Sequence, residues 1–337
     1  MADLFLALSA RVLVDLESMN MAGSVGNVTK HRRAPVVINT ESGFKLLQVP
    51  VISGMSLAYS YQHLLAQVAK DNNLPVTDMS LLGYFMKFSD DNIIKNYYKE
   101  IGKLPDDVCE AEKTLVEKDV VADIGGFLYT DGGIKRNSRF SFSYMMPAID
   151  ALKAGAVGLT PQIHVRFSPK AEKGEQAIIY VENGSALYTL SFILDASGIS
   201  KLDMCRALGG SDNDLGTDAR KARFNAAISA LIAMLGNGII GAKRARNLPH
   251  YEVQSAVIVV SKNFAPIVPS PAHDPKYLVE TSKRVNVVKD VIQGLEYEVH
   301  YYTKEQIETV SDKKVIKHSN LEEAIKASAD FISNRLS

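Results

Sequence analysis

The segment from Leu4 to Leu16 places the strongest constraint on what this chain can fold into. Leu4, Leu6, Leu8, Ala10, Val12, Val14 and Leu16 are apolar, while the other parity carries Ser9, Arg11 and Asp15. Successive side chains of a strand point to opposite faces, so a period of two predicts a long strand with one buried face. Such a strand needs a sheet around it, and further alternation supplies partners. Gln162 to Phe167 puts Ile163, Val165 and Phe167 on one side and Gln162, His164 and Arg166 on the other. A polar turn, Pro169 to Glu175, leads to a strand over Ala177–Val181, and a further strand spans Ser185–Leu194. Val36–Ile38 and Leu46–Val51 read as a hairpin around Glu41-Ser42-Gly43, and Glu252–Ser261 reads as a strand. Sequential strands with short polar turns predict an antiparallel sheet.

Two helices interrupt the strands. Ser53 is an expected N-cap, followed by Leu57, Tyr61, Leu64, Leu65 and Val68 at helical spacing. Arg220–Leu235 carries an apolar stripe of Phe224, Ala227, Ile228, Leu231, Met234 and Leu235, led by Arg220, Lys221 and Arg223. Residues 75–160 mix helical patches with a glycine-rich stretch, Asp123 to Gly133, and predict an inserted lobe. The tail has capping-box spacing at Thr303/Gln306 and Ser319/Glu322, each predicting a helix start. This order of strand, helix, insertion, strands, helix and strand is compatible with an α+β, ferredoxin-like or RRM-type core: an antiparallel sheet with helices.

Charge decides where a polyanion partner could sit. The 337 residues hold 38 Lys plus Arg against 38 Asp plus Glu, so the chain has no global basic field. Any nucleic-acid surface must be local. Cys109 and Cys205 are far apart, with no metal-ligand spacing and no disulfide framework, as expected of an intracellular, cytoplasmic protein. Met1 to Leu8 lacks the basic start of a signal peptide, and no apolar run is long enough for a transmembrane helix, so no membrane partner is expected.

Several segments are candidates for chemistry. Gly236-Asn-Gly-Ile-Ile-Gly241 spells G-x-G-x-x-G, but a predicted helix precedes it and a strand follows, the reverse of a dinucleotide site. Its alternative is a turn that lets Lys243, Arg244 and Arg246 meet phosphates. Gly54-Met-Ser56-Leu-Ala58 imitates the nucleophile elbow of hydrolases, but Ala58 breaks the pattern. A capped helix N-terminus at Ser53 and Gly54 is the plainer reading, and its free amides suit a phosphate. Asn27 to Arg33 reads as a loop leaving the first strand, with Lys30, His31, Arg32 and Arg33 in a row. It is either a solvated charge run or an anion-binding loop. His164 and Arg166 share one strand face, the face on which RNA lies in an RRM-type sheet. No metal-ligand cluster is legible, and no cofactor is implied.

An ordered set of segments carries a resemblance. They are Val14-Asp-Leu-Glu-Ser18, Gly26-Asn-Val-Thr-Lys-His-Arg32, Val49-Pro-Val-Ile-Ser-Gly54, Lys118-Asp-Val-Val-Ala-Asp-Ile-Gly-Gly-Phe127, His164-Val-Arg-Phe-Ser168, Ser185-Ala-Leu-Tyr188, Gly241-Ala-Lys-Arg-Ala-Arg246 and Pro271-Ala-His-Asp274. With them the chain closely resembles the DevR/Cas-seven family, and within it the Csa-two group of crRNA-binding backbone subunits of archaeal type I-A CRISPR Cascade. The resemblance implies a modified RRM palm over 1–74 and 161–262, a finger-like lobe over 75–160, and a C-terminal helical extension over 263–337, with Phe167 to Ala177 one candidate for a thumb. It implies helical homo-oligomers along the crRNA, target DNA bound through the crRNA, and contacts with other Cascade subunits. It places Asn27, Lys30, His31, Arg32, Arg33, Ser53, Gly54, His164, Arg166, Lys243, Arg244 and Arg246 on or near the RNA groove.

One departure bears on activity. Type III relatives cut RNA with an acid in the loop after the first strand, but Gly23 to Arg33 contains no Asp or Glu. Binding without catalysis is the expectation. The alternatives are a RAMP-type metal-dependent ribonuclease using Asp123 or Asp131, and a serine hydrolase centred on Ser56.

Overall fold

The computed structural model describes residues 3–166, 177–210, 213–307, 310 and 312–336. The fold is mixed α+β. The alternating N-terminal segment forms strand β1 (Asp3–Glu17), and helix α1 (Gly54–Asp71) follows it. Then come β2 (Val157–Arg166), β3 (Ala177–Asp195), helix α2 (Thr217–Gly236) and β4 (His250–Asn263). The tail adds helix α3 (Tyr277–Val291), β5 (Glu296–Thr303) and helix α4 (Leu321–Ser333). These strands lie in the order β2–β3–β1–β4–β5, and every neighbouring pair is antiparallel.

Strand β1 is covered on both faces, not one. The even-numbered residues Leu4 to Val14 pack with Leu57, Tyr61 and Leu65 of α1, Phe224 and Leu231 of α2, and Ile325 of α4. Ser9 and Arg11, on the other face, are also buried. There Tyr277, Leu278 and Val285 of α3 pack on Val257, Val259, Tyr297 and Val299. The Arg11 guanidinium is held by Asp150 at 2.6 Å, Glu305 at 2.9 Å and the Ala272 carbonyl at 3.2 Å. Alternation alone could not show this, because the covering segment lies more than 250 residues away in sequence.

The end of β1 breaks the alternation. A bulge between Val14 and Glu17 leaves Leu16 with φ +57° and 52% exposed, while Glu17 is fully buried. One extra residue in a strand reverses the facing of all that follow. The two strands expected over 177–181 and 185–194 are a single strand, β3, with Glu182-Asn183-Gly184 inside it. In β2, Ile163 and Val165 do share a face, but they are 62% and 58% exposed. Phe167 and the turn 169–175 lie outside the described residues.

The segment expected as a loop over 23–33 is a hairpin of Met21–Val25 with Val28–His31, and its second strand pairs in parallel with Tyr180 and Val181 of β3. The next hairpin, Arg33–Thr40 with Gly43–Pro50, forms around Glu41-Ser42 as the sequence predicts. Thr303 starts no helix among the described residues; its hydroxyl accepts from the Glu305 amide in a turn. The last helix is capped by Asn320, one residue beyond the expected Ser319, and Glu323 reaches back to the Ser319 amide.

The cysteines are also corrected. Cys109 and Cys205 form a disulfide across 96 residues of sequence. Helix Val108–Lys118 packs on helix Asp203–Ala207, and Glu112 of the first accepts from the Asp203 and Cys205 amides at 2.9 and 3.0 Å. Tertiary packing, invisible as sequence spacing, brings the two Cα atoms to 4.5 Å. Among the described residues no helix is long and apolar enough to cross a membrane.

Candidate nucleic-acid interface

The predicted basic segments converge on the residues that follow β1. Asn20 organises two of them. Its carbonyl accepts from the Arg32 amide at 2.8 Å, and its side-chain oxygen accepts from the Ser53 amide at 2.9 Å. Ser53 caps α1 as expected, its hydroxyl accepting from the Ser56 amide. Gly54 is needed for packing: a Cβ there would lie 2.8 Å from the Phe142 carbonyl oxygen.

The glycine and arginine loop after α2 docks on the same segment. Gly241 has φ +68°, and a Cβ on it would meet the Met19 backbone at 2.6 Å. Its amide donates to the Ser60 hydroxyl at 3.0 Å, and the Ala242 amide donates to the Met19 carbonyl at 2.9 Å. Asn247 closes the loop by donating to the Ser18 hydroxyl at 3.0 Å. The loop carrying Lys243, Arg244 and Arg246 is thus anchored on Ser18 and Met19, next in the chain to the Asn20 that holds Arg32 and Ser53, with Arg246 exposed and the other two half-buried. Burial and the neighbouring Arg246 charge lower the pKa of the Lys243 ammonium. Among the described residues, none of Arg32, Lys243, Arg244 and Arg246 forms an ion pair, and the buried Nε atoms of Arg32 and Arg244 have no hydrogen-bond partner. Unpaired guanidinium groups beside a helix N-terminus suit a phosphate.

The run Lys30 to Arg33 is not a uniform charge stripe. His31 is buried and donates to Glu17 through Nε2, while its Nδ1 donates to the Arg32 carbonyl at 2.8 Å. Burial opposes the charged imidazole, but the hydrogen bond and charge of Glu17 outweigh it, so its pKa is raised. Glu17 also accepts from the Met19 amide at 2.7 Å and the Tyr188 hydroxyl at 2.9 Å. His31 is therefore part of the interior, not of a solvated run. Glu182 takes the flanking cations: it accepts from Lys30 at 2.9 Å, Arg33 at 3.1 Å and the His31 amide at 2.9 Å. Its own burial opposes ionisation, yet these donors lower its pKa. Asn27 is spent on docking the hairpin, its carbonyl accepting from the Tyr180 amide and its side chain donating to the Ile178 carbonyl.

His164 stands apart. It pairs with Ile179, and unbroken registers through Thr189 to Arg11 put it on the Arg11 face of the sheet. Glu182, of opposite parity on β3, lies on the other face. The Arg166 backbone belongs to β2, but its side chain lies outside the described residues.

Glu17 and Glu182 were missed by sequence reasoning. The signal was present as a conflict: a Glu at the end of an apolar alternation, and a Glu-Asn-Gly that reads as a turn. Gly184 is not a turn residue, because a Cβ there would lie 2.7 Å from the Glu17 carboxylate. The alternative catalytic carboxylates are also engaged. Asp123 is fully buried between Arg136 and Arg223, the latter at 2.6 Å, and those charges lower its pKa against its burial. Asp131 accepts from the Asp91 amide at 2.9 Å. Ser56 has no histidine hydrogen-bonded to it among the described residues.

Comparison with known proteins gives this geometry a context. The family model described as CRISPR-associated negative auto-regulator DevR/Csa2 matches residues 8–283. A Saccharolobus solfataricus protein described as CRISPR-associated aCascade subunit Cas7/Csa2 2 is 43% identical over 290 residues, covering 85% of this chain and 88% of that one. A second from the same organism, CRISPR-associated protein Cas7/Csa2 1, is 29% identical over 310 residues, covering 90% and 94%. A chain of a solved structure titled CRISPR RNA-guided surveillance complex, pre-nicking, shares the fold with a TM-score of 0.52 at 8% identity, over 97% of this chain and 99% of that one.

Proposed function

Because the chain belongs to the DevR/Csa2 family of CRISPR-associated proteins, we propose that it is a non-catalytic backbone subunit that polymerises along CRISPR RNA and presents the spacer for pairing with target DNA. One relative is described as an aCascade subunit, which supports other Cascade subunits as partners. The order β2–β3–β1–β4, with α1 after β1 and α2 after β3, supports reading the core as an RRM-type palm. In that reading 1–74 and 161–262 form the palm, 75–160 the finger-like lobe and 263–337 an extension packed on the core.

The observation that carries the proposal is the convergence of Arg32, the α1 N-terminus and Lys243–Arg246 on Ser18–Asn20, with two guanidinium Nε atoms left without partners. Arg and Lys that meet phosphates fix position without reading bases, so sequence specificity falls to RNA–DNA pairing. Absence of cleavage is supported by the state of the nearby carboxylates. Glu17 and Glu182 are each satisfied by several donors, which leaves neither poised to move a proton.

Purified protein tests this directly. Its ratio of absorbance at 260 and 280 nm should show carried RNA that high salt removes, because phosphate contacts release counterions. With repeat-flanked RNA, negative-stain images should then show helical stacks. RNA-free protein that neither shifts nor assembles on such an RNA would overturn the proposal.

A further inference from the structure

We infer that Glu182 is a built-in competitor for phosphate: it occupies the two exposed cations of the Asn27–Arg33 segment and holds down the RNA affinity of each subunit. The inference rests on the RNA-binding reading above. Lys30 and Arg33 have side chains 42% and 45% exposed, while that of Glu182 is 7% exposed. Both cations meet the same carboxylate oxygen, at 2.9 and 3.1 Å. The second oxygen accepts from the His31 amide, which ties the carboxylate to the backbone as well.

The three groups together carry a net charge of one. A phosphodiester reaching Lys30 and Arg33 meets cations whose charge is partly neutralised by an anion, and the repulsion of that anion. Arg32, between them in sequence, has no carboxylate partner among the described residues, so the competition is specific to the two flanking positions. A polymer gains from this arrangement. Weak individual sites make stable binding depend on several subunits on one RNA, since linked contacts multiply while single ones dissociate. Stray short RNAs are then poorly held. Glu182 here sets affinity through Lys30 and Arg33; it is a positioning residue.

The test compares wild type with Glu182→Gln, Glu182→Thr and Glu182→Asp, using a short single-stranded RNA that spans one subunit. Glutamine is neutral and keeps a side-chain oxygen at the same reach for the His31 amide; threonine is neutral and suits a strand; aspartate keeps the charge. Both neutral variants should bind roughly threefold to tenfold tighter, with a steeper dependence on salt, the scale of one added phosphate contact. Glu182→Asp should bind within about twofold of wild type. Thermal unfolding run in parallel reports which neutral variant keeps the fold, and either one suffices. Folded neutral variants that bind equally or more weakly than wild type would overturn the inference while leaving the proposed function intact. Wild-type protein that binds no RNA, short or long, would instead remove the proposed function, and this inference with it.

Discussion

Two basic segments lie side by side in this protein, and they differ in what the fold has done with their charge. In the run Lys30 to Arg33, two buried carboxylates engage three of the four basic side chains. In the loop Lys243–Arg246 no carboxylate pairs with any of them among the described residues, and the loop is held instead by the Ala242 amide on the Met19 carbonyl and the Asn247 side chain on the Ser18 hydroxyl. The comparison teaches that a run of basic residues says little about available charge. What matters is whether acids from other strands reach it. Here Glu17 and Glu182 reach the hairpin because a bulge and Gly184 make room for them.

Four experiments would break or sharpen that comparison. His31→Ala should have the largest effect, about 3–5 kcal/mol of stability measured by denaturant unfolding, because it strips a buried carboxylate of its partner. A negligible loss would mean that the hairpin is not anchored through Glu17. Reduction of the Cys109–Cys205 disulfide should lower stability by about 2–4 kcal/mol and leave RNA affinity of the folded protein unchanged, which separates global stability from the interface. Replacing Lys30 and Arg33 together with Ala should weaken RNA binding and also cost about 1–3 kcal/mol, because the Glu182 charge keeps only the His31 amide of its three donors. Replacing Arg244 and Arg246 should weaken binding roughly tenfold, equally for all sequences, with stability unchanged. Equal stability losses in the two double variants would erase the distinction between the segments.

The pH profile is the subtlest test. The His31 pKa is raised in the fold, so its contribution is complete below about pH 6.5 and is lost as pH rises through the raised value. The Glu182 pKa is lowered, so its contribution is present above about pH 4.5 and is lost as pH falls through the lowered value. The two anchors therefore fail at opposite ends of the scale. A His31→Gln variant that keeps the alkaline decline would assign that decline to another group.

Much of the fold was legible because it rests on local rules. The β1 alternation, the Ser53 cap, the apolar stripe of α2 and the Glu41-Ser42 turn each follow from a few neighbouring residues. Misreadings came where distant segments decide the outcome. Strand β1 looked one-sided because its second cover arrives from α3 and Glu305, and the cysteines looked separate until two helices packed. The basic segments of the interface were visible by composition. Their pairing was not, since Glu17 and Glu182 are brought in by a bulge and a continuous β3 that the sequence pattern splits in two.

Binding of two RNAs of equal length and unrelated sequence, titrated across salt concentrations, tests the central claim most directly. A backbone-reading subunit should bind both with the same affinity, and the logarithm of the binding constant should fall linearly with the logarithm of salt for each. Failure to bind either RNA, or a clear preference for one sequence that persists at every salt concentration, would contradict it.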